Sequence, residues 1–118
     1  MVGEPSYPFY TLRYMDVLTS EYVTPRREDI RLEAVFHALS DPVRLQIVRV
    51  LATSAEGRAC GTLGLTVSKS TASHHFRVLR EAGVIIQRED GRKRLNELRR
   101  DDMEARFPGL LDTVVSAV

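Results

Sequence analysis

Apolar residues recur at helical spacing in the first half of the 118-residue chain. Five of them share one helical face: Ile30, Ala34, Val35, Ala38 and Leu39. This period predicts a first helix over residues 29–39. Asp41 can accept hydrogen bonds from free backbone N–H groups and Pro42 fits the first helical position, so a second helix is predicted to start there. Its apolar stripe is formed by Val43, Ile47, Val50 and Leu51. Arg44 and Arg49 fall off that stripe.

Small residues over 53–64 predict a loop, with one short helix near 62–65. Ser68 is then placed to cap a third long helix over 69–82. The apolar face of this helix consists of Ala72, Phe76 and Leu79. Gly83 suits the position after the helix, because a left-handed conformation costs glycine nothing.

The β-branched residues 84–86 predict the start of a strand. Asp90-Gly91 is typical of a tight hairpin turn, and a return strand is predicted over 92–98. A last helix follows over 101–118, which Pro108 should kink or split. Helices followed by a hairpin and a helix predict a mainly α chain with a β-hairpin (α+β), the pattern of a winged helix-turn-helix.

Composition excludes several classes of protein. Hydrophobic residues make up 43% and charged residues 28%, which is typical of a soluble globular domain and not of disordered or fibrous chains. No apolar run reaches the roughly 20 residues of a membrane helix. The first ten residues lack the basic start and apolar core of a secretory signal. With a single cysteine, these features predict a cytoplasmic protein that binds no membrane.

Charge is unevenly distributed although the net charge is only +1. From Lys69 to Arg100 there are nine basic and four acidic residues, so this segment is +5 and the remainder is −4. A local basic block is the footprint expected of one nucleic-acid-binding face. A solvated charged surface is the alternative.

Three stretches resemble one known family. They are residues 38–47, 68–84 and 88–93, which begin Ala-Leu-Ser-Asp-Pro-Val-Arg, Ser-Lys-Ser-Thr-Ala-Ser-His-His-Phe and Arg-Glu-Asp-Gly-Arg-Lys. In order and spacing they resemble the ArsR/SmtB family of bacterial transcriptional repressors. The resemblance implies a winged helix-turn-helix fold with a helical dimer interface. It also implies a homodimer that binds a double-stranded operator with an inverted repeat and releases it on meeting an effector.

The same resemblance identifies the helix over 69–82 as the recognition helix, whose N-terminal part reads DNA. Contact with base edges is expected of Ser70, Ser73 and His74. Contact with the phosphate backbone is expected of Ser68, Lys69, Thr71, His75 and Arg77. Two alternatives stay open: Ser70 and Thr71 only cap the helix, or His75 packs inward.

In the hairpin, the expected DNA contacts are Arg88, Arg92, Lys93 and Arg94. A basic hairpin tip can lie along or enter a minor groove, where negative potential attracts arginine. The alternative is a solvated charge that protects a sheet edge. Arg99 and Arg100 lie at the base of the hairpin, where a structural role is at least equally expected.

No enzymatic activity is expected. Adjacent helical residues point about 100° apart, so His74 and His75 cannot easily chelate one ion, and Ser73 with His74 cannot act as nucleophile and base. The metal-sensing Cys-x-Cys pair and the Asp and His ligands of the family's last helix are absent, so no cofactor is expected. A metal site remains an alternative at Cys60, His37 or the N-terminal segment, while Asp101, Asp102 and Glu104 are first-turn acids that suit the helix dipole.

Cys60 is also a candidate redox switch, with a small half-buried filler as the alternative. A winged-helix module for protein–protein association is the alternative from another functional class. Residues 1–24 form an aromatic segment, and residues 25–118 are the predicted DNA-binding domain with a C-terminal dimerisation helix. Three hypotheses apply to the aromatic segment: a dimerisation helix, the wall of an effector pocket, or a flexible tail.

Overall fold

Five α-helices and a three-stranded antiparallel sheet make up the part of the chain that the computed structural model describes, residues 24–54, 57–59 and 63–117. The helices are α1 (Leu32–Ala38), α2 (Pro42–Ala52), α3 (Lys69–Ala82), α4 (Arg100–Arg106) and α5 (Leu110–Ala117). The strands are β1 (Arg58–Ala59), β2 (Ile85–Asp90) and β3 (Lys93–Leu98), in the order β1-β3-β2. A short 3-10 helix (Arg27–Asp29) precedes α1. The predicted winged helix-turn-helix is confirmed.

Local capping chemistry starts and ends the central helices where the sequence predicts. The Asp41 carboxylate accepts from the backbone N–H groups of Val43 and Arg44, at 2.8 and 3.2 Å. The Ser68 hydroxyl accepts from the backbone N–H of Thr71 at 3.2 Å and caps α3. Gly83 ends α3 with φ of +91°, a left-handed conformation that favours glycine.

The core lies where α1, α2 and α3 meet β2 and α4. Its fully buried members include Val35, Ile47, Val48, Leu79, Ile85 and Met103. The predicted stripe of α2 is confirmed at Ile47 and Leu51, but the prediction was wrong for Arg44. Arg44 is buried, because its guanidinium binds the end of α1 and a side chain of α3.

The loop before α3 differs from its prediction. Residues 58–59 form β1, which pairs with β3 through Arg58↔Asn96 and Ala59↔Leu95. Residues 63–65 are not helical, so the short helix expected there is wrong for these three. Gly64, with φ of +69°, lies outside the helical region of backbone space.

The hairpin and the C-terminal helix match their predictions more closely. β2 and β3 pair from Ile85↔Leu98 to Asp90↔Lys93, and Gly91 has φ of +65° in the turn. The last helix is split into α4 and α5 at Phe107–Gly109, as Pro108 predicts. Among the described residues, no helix combines the length and apolarity needed to cross a bilayer.

The segment ahead of α1 is fastened to α4. Asp102 accepts from Arg27 at 2.6 Å and from Arg99 at 2.8 Å, and Arg99 also donates to the Pro25 carbonyl at 2.7 Å. Arg106 donates to the Ile30 carbonyl. Burial alone would raise the pKa of the Asp102 carboxyl, but the hydrogen bonds from the two arginines hold it below its ordinary value. Residues 1–23, the bulk of the aromatic segment, lie outside the described residues.

Candidate nucleic-acid interface

The first two turns of α3 present their polar side chains to solvent. Six predicted contact residues are exposed: Lys69, Ser70, Thr71, Ser73, His74 and Arg77. Ser68 makes the helix cap, and its hydroxyl also lies 2.9 Å from the Thr71 hydroxyl. The Ser70 hydroxyl lies 3.4 Å from that of Ser68, and the side chains of Ser70, Ser73 and His74 are on the outer surface of the helix.

The hairpin, which we call the wing (residues 85–98), carries its predicted cations near the turn. Arg92 and Lys93 are exposed, and Arg94 is half-buried. Arg88 is exposed as well, but its guanidinium donates to the Glu97 carboxylate of the neighbouring strand at 2.6 Å. This ion pair offsets part of the charge of Arg88.

Helix and wing enclose one groove of about 630 Å³. From the helix, Lys69 and Ser73 line it, and from the wing, Arg92 and Arg94 line it. Its floor is apolar and consists of Leu65, Val67, Ala72 and Phe76. Two segments that are about twenty residues apart in the sequence therefore form a single surface with cationic walls.

His75 differs from its neighbours on α3. It is only 7% exposed, and its Nδ1 lies 3.0 Å from Nη1 of Arg44. Arg44 also donates from Nε to the Ala38 carbonyl at 2.6 Å and from Nη2 to the His37 carbonyl at 3.3 Å. The structure therefore favours the inward alternative for His75 over the phosphate contact. We call the Arg44–His75 contact the imidazole link.

Asp41 lies at the edge of the imidazole link. Its Oδ1 is 4.0 Å from Nδ1 of His75. Burial by itself would raise the pKa of the Asp41 carboxyl. The backbone N–H groups of Arg44 and Val43, with the nearby charge of Arg44, nevertheless lower that pKa below its ordinary value.

A second polar connection joins the C-terminal half of α3 to the wing. Arg80 donates to the side-chain oxygen of Gln87 at 2.8 Å, and the Gln87 amide donates to that of Asn96 at 2.6 Å. Asn96, which is fully buried, donates to the Arg58 carbonyl of β1 at 3.0 Å. We call this chain of three hydrogen bonds the amide link. Sequence reasoning missed it, although two amide side chains on facing strands were an available signal.

Three arginines of the basic block serve the fold. Arg80 belongs to the amide link, and Arg99 binds Asp102 and the Pro25 carbonyl. Arg100 donates to the carbonyls of Leu51, Ala52 and Ser54 at the end of α2, at 2.9–3.2 Å. The structural role expected for Arg99 and Arg100 is what these contacts favour. Fewer basic residues therefore contribute positive charge to the groove than the nine that the segment from Lys69 to Arg100 contains.

The metal and redox candidates are only partly within the described ranges. Within residues 24–54, 57–59 and 63–117, no three His, Cys, Asp or Glu side chains form a group that could hold a metal ion. Asp102 is engaged by Arg27 and Arg99, and Asp101 and Glu104 are exposed. The candidate redox residue Cys60 lies outside the described residues.

Comparison with known proteins agrees with this geometry. Residues 39–88 match the family model described as a helix-turn-helix domain. The chain is 40% identical over 96 residues to the uncharacterized HTH-type transcriptional regulator YceK of Bacillus subtilis (strain 168), covering 79% of this chain and 96% of that one. It is also 39% identical over 59 residues to a cadmium resistance transcriptional regulatory protein CadC homolog of Staphylococcus aureus, which covers 49% of each chain.

Solved structures show the same relationship. The transcriptional repressor BigR from Xylella fastidiosa superposes with a TM-score of 0.58 at 25% identity, over 79% of this chain and 96% of that chain. A possible transcriptional regulator for arsenical resistance gives 0.53 at 28% identity, over 75% and 98%. This chain therefore belongs to the ArsR/SmtB-type winged helix-turn-helix regulators and is a DNA-binding regulator of transcription.

Proposed function

We propose that this regulator is a homodimeric repressor that binds an inverted-repeat operator and releases it in response to an effector. One observation carries the proposal: Lys69 and Ser73 of α3 line a single groove together with Arg92 and Arg94 of the wing. When a recognition helix enters a major groove and a wing reaches the next minor groove, the sugar–phosphate strand between the grooves passes between helix and wing. The groove offers that strand cationic walls and an apolar floor.

Within this arrangement, Ser70, Ser73 and His74 contact base edges. Their side chains are short, polar and exposed on the first two turns of α3, where recognition helices read DNA. Lys69, Thr71 and Arg77 hold the phosphate backbone, and Ser68 supports them as the cap. His75 is not among the proposed contacts, because it is buried against Arg44.

On the wing, Arg92, Lys93 and Arg94 contact the minor groove or its phosphates. Arg88 contributes less, because Glu97 already accepts from its guanidinium. These residues supply affinity that depends on salt and little on sequence.

We assign dimerisation to the C-terminal helix and to the aromatic segment 1–24. Residues 25–118, which include that helix, form the DNA-binding domain. No residue of α5 is fully buried in the single chain: Leu110, Leu111 and Val115 pack only partly against the core, and Val114 is half-buried. A partner subunit that covers them would place two recognition helices one DNA turn apart, about 34–36 Å. We further propose that the protein is not an enzyme, binds no cofactor and acts in the cytoplasm.

The test is a gel shift that compares two affinities of the protein. One is for the DNA fragment immediately upstream of the gene that encodes the protein, and the other is for an unrelated fragment of equal length. Ser73→Ala or His74→Ala should reduce the preference for the upstream fragment by about 1–3 kcal/mol, the cost of one good base contact. Arg92→Ala should weaken both complexes and reduce the salt slope by about 0.9 for each phosphate that the variant no longer neutralises.

Arg26→Ala is the matched control, because Arg26 is an exposed arginine outside the proposed interface. It should leave both the preference and the salt slope unchanged. Sedimentation should give a dimer. Absence of any salt-sensitive shift would favour the protein-association module instead.

A further inference from the structure

The imidazole link fastens the recognition helix to its neighbours through groups that the DNA interface does not use. Arg44 and His75 are each 7% exposed. One guanidinium donates to the last carbonyls of α1 and to the His75 ring of α3. The rotation of α3 about its own axis is thus fixed against α1 and α2 by a directional contact as well as by apolar packing.

The chemistry of this contact requires one protonation state. A guanidinium has donors and no acceptor, so Nδ1 of His75 must be the acceptor. The imidazole is therefore neutral, with its proton on Nε2. Protonation would turn Nδ1 into a donor that faces the donors of Arg44, and it would place two positive charges side by side in a largely buried site.

The Asp41 carboxylate and the His74 ring also lie near His75. The Asp41 carboxylate on the N-cap of α2 lies 4.0 Å from Nδ1. The His74 ring, the next residue on α3, has its centroid 5.7 Å away. A protonated His75 loses its bond to Arg44 and gains an acceptor in Asp41. A shift of the ring toward Asp41 would remove the contact that holds α3 to Arg44.

The neighbours of His75 on the helix are the proposed base-reading residues. Successive helical residues are about 100° apart around the axis, so an inward His75 holds Ser73 and His74 at a fixed outward angle. We propose that His75 is a positioning residue whose neutral imidazole sets the rotation of the recognition helix, so that specific DNA binding weakens when His75 is protonated. This inference rests on the proposed function and adds a condition under which that function is lost.

The experiment measures affinity for the upstream fragment from about pH 8 to about pH 5.5, the interval in which imidazoles change charge. His75→Asn keeps an acceptor near the position of Nδ1 but cannot be protonated, and His75→Leu removes the acceptor. The natural protein should lose about tenfold in affinity on acidification. His75→Asn should bind like the natural protein at pH 8 and keep that affinity at low pH. His75→Leu should bind about tenfold more weakly at both ends, as expected for a buried donor left without its acceptor.

His37→Asn is the matched control, because His37 is an exposed histidine of α1; it should retain the pH dependence of the natural protein. Circular dichroism confirms that each variant is folded. A second measurement needs no DNA: side-chain ¹⁵N shifts of His75 in the free protein should report the Nε2–H tautomer at pH 8.

The outcomes are distinguishable. If the natural protein does not bind the upstream fragment at pH 8, the proposed function fails and this inference fails with it. If it binds, but His75→Asn loses affinity on acidification as the natural protein does, the inference alone is overturned. An Nδ1–H tautomer at pH 8 would overturn it independently of any DNA measurement.

Discussion

The recognition helix α3 is held by two polar links that differ in chemistry. The imidazole link joins His75 to Arg44 and so to the body of the domain. The amide link runs from Arg80 through Gln87 and Asn96 to β1 and so fixes the wing. Both are buried, and their positions on α3 are only five residues apart.

The two links differ in whether they contain a group that can change charge near neutral pH. The amide link consists of a guanidinium, two amides and a backbone carbonyl, none of which changes charge near neutral pH. The imidazole link depends on a neutral histidine and has a carboxylate beside it. We therefore expect the position of the wing relative to α3 to be insensitive to pH, and the attachment of α3 to the domain to depend on the neutral imidazole.

The largest expected effect comes from cutting the imidazole link at its donor. Arg44→Met leaves the Ala38 carbonyl and Nδ1 of His75 without their side-chain donor, whereas the His37 carbonyl still accepts from Ser40. We expect a loss of about 3 kcal/mol in the free energy of unfolding, since breaking a buried charged network leaves several polar groups uncompensated. Urea denaturation measures it. Arg49→Met, an exposed arginine on the same helix, should change stability by less than about 0.5 kcal/mol.

Cutting the amide link should cost somewhat less. Asn96→Leu removes the acceptor of the Gln87 amide and the donor to the Arg58 carbonyl, for an expected loss of about 2–3 kcal/mol. Because the links share no partner, the double variant with Arg44→Met should be additive within about 0.5 kcal/mol. A larger coupling energy in urea denaturation would show that the two links are one network.

Gly83, at the C-terminal end of α3, packs against Ile30 in the segment ahead of α1. Adding a single methyl group at Gly83 should therefore lower the stability of the fold. A Cβ at Gly83 would lie 2.7 Å from Cγ1 of Ile30, at φ of +91°. We expect Gly83→Ala to cost about 2 kcal/mol, from the left-handed backbone and from overpacking. Gly109→Ala has a similar φ of +83° with nothing within 4 Å. The difference between the two variants in thermal unfolding therefore measures the clash with Ile30, and equal costs would rule that clash out.

The smallest expected effect is on the stability of the fold at acidic pH. The pKa of Asp41 is lower in the folded chain than its ordinary value, so its carboxylate stabilises the fold above about pH 4. That contribution disappears as the pH falls through the lowered value. Asp41→Asn keeps a helix cap but removes the charge, so its melting temperature should fall less between pH 5 and pH 3, by about 2 °C.

Asp112→Asn, an exposed carboxylate of α5, is the control and should follow the natural protein. An equally steep acid loss in Asp41→Asn would exclude Asp41 as the source. The amide link offers no carboxylate, so Gln87→Met should lower stability at every pH by the same amount.

Much of the fold could be predicted because its signals are local. The caps at Asp41 and Ser68 act on N–H groups two or three residues away, and the turn at Asp90-Gly91 sets the register of the hairpin. The exposed face of α3 follows from helical periodicity once its apolar face is known. The wing cations follow from their place beside the turn.

The rest depended on partners far away in the sequence. His75 meets Arg44 across 31 residues, and Asn96 meets the Arg58 carbonyl across 38. Periodicity placed Arg44 off the apolar stripe because a hydrophobic pattern assigns a charged side chain to solvent. The pattern does not account for the buried acceptors on Ala38 and His75 that Arg44 binds in the folded chain.

The sequence by itself determined the order of the helices, the hairpin and the family, because caps, turns and short motifs are encoded within a few residues. Only the tertiary structure decided which basic side chains line the groove and which ones make contacts that stabilise the fold. It also decided that His74 and His75, identical in chemistry and adjacent in the chain, face opposite environments. The physical reason is burial: a polar group inside the core must find its partner there, and that partner is chosen by the packing of the helices.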